Sequence, residues 1–202
     1  MTLERERHHR VVTESQLRFP PDLYEQYDPD GDCCEIVIAT AYNTLTGKSI
    51  TVGDLVRMGY PPNRLGGARM VELLNYSRQS ELHMNLLALY ASKSKVEQMF
   101  KDHLLRGELI YLVVYVREWW KHVLKGHGDI ENFGHAVLIH NLEEKDGKTI
   151  FHIYDPNQWK DQGRIKADVD QLWPTLFLMQ GLGGVAARSV GISRVEFAVF
   201  TY

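Results

Sequence analysis

From Cys33 to Leu45 the apolar positions fall at Cys34, Val37, Ile38, Ala41 and Leu45, the three-and-four spacing of one helical face. Asp28-Pro-Asp-Gly-Asp32 ahead of it is dense in turn formers and helix-capping types, and Gly47 ends it. The same pattern predicts short helices over Thr51 or Val52 to Met58 and over Gly67 to Tyr76. A longer one is predicted over Ser94 to Leu105, stopped at Gly107. Beyond Gly107 the period changes. Leu109 to Val116 is an unbroken apolar run of eight residues, which reads as a buried strand. Gly134 to His140 and Thr149 to Tyr154 predict a hairpin around Lys145-Asp146-Gly147, and Arg194 to Thr201 alternates like a closing strand. Trp119 to Asp129 reads as a polar, Gly-containing connection. Val169 to Gln180 reads as a helix interrupted near Pro174. Helices first and strands second indicate an α+β fold rather than alternating α/β. There is no internal repeat and no low-complexity segment.

The 202 residues suit one domain, taken as residues 21–202, behind a charged arm of residues 1–20. A net charge of −3 supplies no basic surface for nucleic acid. No stretch approaches the roughly 20 apolar residues that span a bilayer. The charged segment from Thr2 to Arg10 has no apolar core, which argues against a secretory signal. The only cysteines, Cys33 and Cys34, are adjacent and make no disulfide framework, so the expected compartment is reducing and cytoplasmic. His8-His9 lacks the further ligands of a metal site, and no cofactor is expected.

The two cysteines open the first long helix. Unpaired N–H groups and the helix dipole favour an anion there, so a thiolate is stabilised and an acyl-transfer oxyanion can be bound. The competing reading is a small buried hydrophobe. A nucleophilic cysteine needs a base, and the hairpin selects one histidine among nine. With a three-residue loop, Val137 faces Asp155 and His135 faces Asn157. With five, His135 faces Asp155. Either register keeps His135, Asp155 and Asn157 on one face, with His140 and His152 on the other, because strand side chains alternate. The plainer alternative is that His135 caps a strand and Asp155-Pro156-Asn157 turns the chain.

Together these segments resemble papain-fold cysteine peptidases of the double-glycine-leader, bacteriocin-processing type and their stand-alone relatives. In that family a cysteine opens an apolar helix ending in glycine, followed by Val/Ile-Ser/Thr-x-x-Asp/Glu-Leu. Gly47-Lys-Ser-Ile-Thr-Val-Gly-Asp-Leu55 is similar to that segment. Gly134-His135 with its apolar strand and Ile153-Tyr-Asp155-Pro156 match the later motifs, so the resemblance spans about residues 24 to 157. It implies a papain-like fold, N-terminal helices packed on a C-terminal antiparallel sheet. It also implies a cysteine nucleophile, His135 as general base and acid, Asp155 as its orienting partner, and Gln26 as an oxyanion donor. Asn157 stays as the alternative orienter.

Two positions depart from the pattern. The family has glycine directly after the cysteine, whereas Cys34 is followed by Glu35 and Cys33 by Cys34; and Gln26 lies eight residues before Cys34. The count back from Gly47 and Leu55, with its place on the apolar stripe, favours Cys34 as nucleophile. The Asp32-Cys33 pair and the shorter distance from Gln26 favour Cys33. The expected activity is thiol-dependent cleavage of a peptide or related amide in a peptide or protein substrate. Deamidation or acyl transfer at the same site, and a catalytically silent protein-binding domain, are the alternatives. The arm and the Trp119-Trp120 pair are expected to help select a partner.

Overall fold

The computed structural model describes residues 11–23, 33–57, 82–127, 131, 133–157, 164–176 and 192–202. Helices α1 (Cys33–Thr46) and α2 (Val52–Arg57) come first. Strand β1 (His83–Ser92) runs into helix α3 (Lys93–Leu105), and β2 (Leu109–Tyr115) into the short helix α4 (Val116–His122). Strands β3 (Gly134–Lys145) and β4 (Lys148–Tyr154) form the hairpin. Then come β5 (Arg164–Asp168), α5 (Val169–Leu172), a 3-10 turn at Trp173–Thr175, and β6 (Ile192–Thr201). The expected helix over Gly67–Tyr76 lies outside the described residues.

All strands join one six-stranded sheet in the order β1-β6-β2-β3-β4-β5, and every neighbouring pair is antiparallel. On one face lie α1 and α2, against Tyr111, Ala136, Leu138, Tyr154, Ala198 and Phe200. On the other lie α3, α4 and α5, against Leu112, Val137, Ile139, Phe151 and Phe197. The period-2 alternation of each strand feeds both cores at once. A helix opened by two cysteines lies on an antiparallel sheet, with His135 in β3 and Asp155 directly after β4, and this mixture of helices and antiparallel strands is the α+β class expected from the sequence.

Helix α1 is buried over most of its surface, from Glu35 to Asn43, because a second layer covers it. Val12, Leu17 and Phe19 pack onto the same core, and Arg18 bonds through its N–H to Thr44 and through its guanidinium to the Gly47 carbonyl. Asp22 Oδ1 accepts the N–H of Val52 at 3.0 Å, satisfying an open donor in the first turn of α2. Among the described residues no helix is long and apolar enough to cross a membrane.

Three expectations change. Helices occupy both faces of the sheet, and β1 interrupts the order of helices first and strands second. His83–Ser92 has no element assigned from the sequence, and its Leu- and Ala-rich stretch carries helix formers. Pairing along its full length with β6 overrides that preference. The connection assigned to Trp119–Asp129 begins as the last part of α4, a seven-residue helix too short for a periodic signal. The helix expected over Val169–Gln180 stops at Leu172. Pro174 sits in the 3-10 turn, and Leu176 bridges to Val114 of β2.

Candidate active site

The hairpin register aligns the site. Asp146 (φ 52°) and Gly147 (φ 74°) form a two-residue turn, so Lys145 faces Lys148. That register alone would be one residue away from the three-residue expectation. A β-bulge at His140, between Ile139 and Asn141, absorbs the difference, and Leu138 faces Tyr154. One step further, the same count sets Val137 level with Asp155 and His135 level with Asn157, the alignment the three-residue loop gives without a bulge.

At this end of the hairpin three donors converge on one carboxylate. His135 Nε2 lies 2.7 Å from Asp155 Oδ1, and both side chains are only 1% exposed. The Asn157 backbone N–H donates to the same oxygen at 2.9 Å. Trp119 Nε1–H, from α4, donates to Oδ2 at 2.7 Å. An ionised carboxylate only accepts, so Nε2 carries the proton and Nδ1 holds a lone pair. That Nδ1 is buried and has no hydrogen-bond partner among the described residues. An imidazole oriented this way is set up to take a proton at Nδ1.

The cysteines open α1, and each sulfur has its own contact. The backbone N–H of Ala136, the residue after His135, donates to the Cys33 sulfur, which is also hydrogen-bonded to the Cys34 thiol. The Tyr111 hydroxyl, from β2, donates to Cys34 Sγ at 3.0 Å. Both cysteines are half-buried and neither is in a disulfide. The bond to Cys34 and then burial push the Cys33 thiol well above its ordinary range. The Ala136 amide pulls the other way, and the nearby Glu35 carboxylate adds to the rise.

Cys33 thus meets the strand that carries His135, and His135 meets Asp155. Asn157 joins through its backbone, with its own side-chain Oδ1 buried and unpartnered among the described residues. Gln26 and His8-His9 lie outside the described residues. Among those residues no group of three or more His, Cys, Asp or Glu is arranged to hold a metal ion.

Trp119 is the site residue that sequence reasoning missed. It was expected to help select a partner from a connection, whereas it is 1% exposed and bonded to Asp155. A tryptophan three residues after Val116 and four before Val123 carries the spacing of a helical face, which was the available signal. Its neighbour Trp120 packs back on Gly126, where even a Cβ would lie 2.0 Å from the indole.

No protein-family model and no curated protein matches this chain. Among solved structures, that of UfSP from C. elegans is similar over 88% of this chain and 31% of its own, at 12% identity and a TM-score of 0.46. The chain spans less than a third of that protein's length, and a likeness this distant carries no argument about what the chain does.

Proposed function

We propose that the chain is a cysteine-nucleophile hydrolase cleaving a peptide or related amide bond through a thioester. The observation that carries this reading is the buried His135–Asp155 pair, which leaves Nδ1 with an unused lone pair on the strand whose next residue, Ala136, hydrogen-bonds Cys33 through its backbone. We take Cys33 as the nucleophile, the alternative that the sequence weighs below Cys34. Its sulfur meets the amide directly after His135, while the Cys34 sulfur receives Tyr111.

In this reading His135 Nδ1 takes the thiol proton as the sulfur adds to the substrate carbonyl carbon. The oxyanion so formed is held by open N–H groups at the start of α1 and, by family resemblance, by Gln26. Collapse breaks the C–N bond, and the imidazolium returns its proton to the leaving amine. Water then adds to the thioester with His135 again as base, releasing the acid and the thiol. Because the Cys33 thiol is pushed up, sulfur holds its proton at neutral pH, and His135 acts as a general base during attack. The reducing cytoplasm expected for two unbridged thiols suits this chemistry. An amine in place of water gives acyl transfer at the same thioester.

Glu35 favours the silent rival. A buried carboxylate stands next to the cysteines, where the resembling family has glycine, and it opposes a thiolate.

Iodoacetamide alkylation read by peptide mass spectrometry tests the assignment. Cys33 is expected to alkylate in a His135-dependent manner, with a rate rising about ten-fold per pH unit through neutrality as thiolate forms. Cys33→Ala is expected to abolish amide turnover, and Cys34→Ala to retain it. Turnover lost only in Cys34→Ala reverses the assignment. Alkylation of both sulfurs unchanged by His135→Ala favours the silent domain.

A further inference from the structure

Asp155 is a buried carboxylate whose geometry is set from a separate element. Its Oδ1 is shared by His135 Nε2 and the Asn157 amide, both from its own hairpin. Its Oδ2 takes the Trp119 indole N–H at 2.7 Å, within the second core. Helix α4 is held in place at both ends: the Val116 N–H donates to the Phe133 carbonyl just ahead of β3, and Val123 is buried beyond the last turn. The indole therefore cannot follow the carboxylate if the latter rotates. The carboxylate must keep Oδ2 on the indole, which aims Oδ1 at His135.

We propose that Trp119 is a positioning residue for the candidate site, a fourth member that holds the Asp155 carboxylate turned toward His135. It touches no reacting atom and acts only through Asp155. One consequence separates this from a role in packing alone. An effect that runs through Asp155 vanishes once residue 155 has no oxygen to accept the indole N–H. The sequence gives no hint of the contact, because Trp119 lies 36 residues from Asp155.

The inference rests on the Cys–His reading for its effect on reactivity, though not for the indole–carboxylate bond itself. The test compares the full chain with Trp119→Phe, which keeps an aromatic ring and removes the donor. Iodoacetamide reaction at Cys33 at neutral pH is expected to slow by about ten-fold or more, the equivalent of one hydrogen bond to a charged group. In an Asp155→Ala background the same Trp119→Phe change is expected to slow it by less than about two-fold, since the coupling is gone. An equal slowing in both backgrounds overturns the proposal in favour of packing.

A second measurement needs no variant at Trp119 to fold. In the unaltered chain the Trp119 indole N–H is expected to exchange slowly with solvent and to show a downfield resonance that Asp155→Ala removes. Fast exchange, or a resonance that Asp155→Ala leaves in place, also overturns the proposal. Loss of the Cys–His reading is recognised separately, by Cys33 alkylation that ignores His135→Ala while the indole resonance still depends on Asp155.

Discussion

Each end of the β3–β4 hairpin sets a carboxylate against a nitrogen donor at nearly the same distance. Near the turn, Lys101 Nζ lies 2.6 Å from Glu144 Oε1, with the glutamate side chain 54% exposed. At the far end His135 Nε2 lies 2.7 Å from Asp155 Oδ1, with both side chains 1% exposed. At the turn the carboxylate is solvated whether or not the lysine is present, and the pair is worth little. At the site end the carboxylate has left water and depends on three protein donors. Removing it orphans a buried imidazole N–H, an indole N–H and a backbone N–H together. Burial and the number of dependent partners separate the two, and distance does not.

The largest expected effect is at the buried end. Asp155→Ala should lower stability by about 3–5 kcal/mol in chemical denaturation, because the dependent donors stay buried. It should also depress any His135-dependent reactivity of Cys33 by orders of magnitude, as loss of an orienting carboxylate does. A loss no greater than that of an exposed pair would break the comparison. Asn157→Ala keeps the backbone donor and should cost far less in reactivity.

The middle of the hairpin gives the next effect. His140 sits at the bulge, under the Val12 carbonyl and facing His152, Glu14 and Arg164, and burial holds it down to about 4 from 6.5. The unfolded chain takes up that proton near pH 6.5 and the folded chain does not until about pH 4. Stability is therefore lost as pH falls through that window, by roughly 3 kcal/mol from this group. Denaturation midpoints followed from pH 7 to pH 4 should show the slope, and His140→Gln should remove this contribution. An unchanged slope would mean that His140 takes its proton in the folded state.

Gly147→Ala should cost about 1 kcal/mol. The new Cβ meets nothing within 4 Å, so the left-handed φ of 74° is the only penalty. Glu144→Ala should change stability by less than about 0.5 kcal/mol, and by less again at high salt. A loss near that of Asp155→Ala would show that the exposed pair is coupled to the core.

Much of this was legible in the sequence. The apolar stripe of α1 behind two cysteines reads directly, because helical spacing is local. Strand alternation alone placed His135 and Asp155 on one face, opposite His140 and His152. Turn chemistry at Asp146-Gly147 marked the hairpin. What sequence leaves open is set by contacts between distant segments. The choice of Asp155 over Asn157 as the partner of His135 Nε2 depends on the chain leaving the ladder after Tyr154, where the strand period no longer applies. The bulge at His140 has no local signature, yet it restores the alignment that a two-residue turn alone would miss. Strand β1 forms from helix formers because β6 lies along its length, and Trp119 reaches Asp155 because the second core holds α4 against the end of the hairpin. Local periodicity decided which residues share a face, and packing across the sheet decided which of them touch.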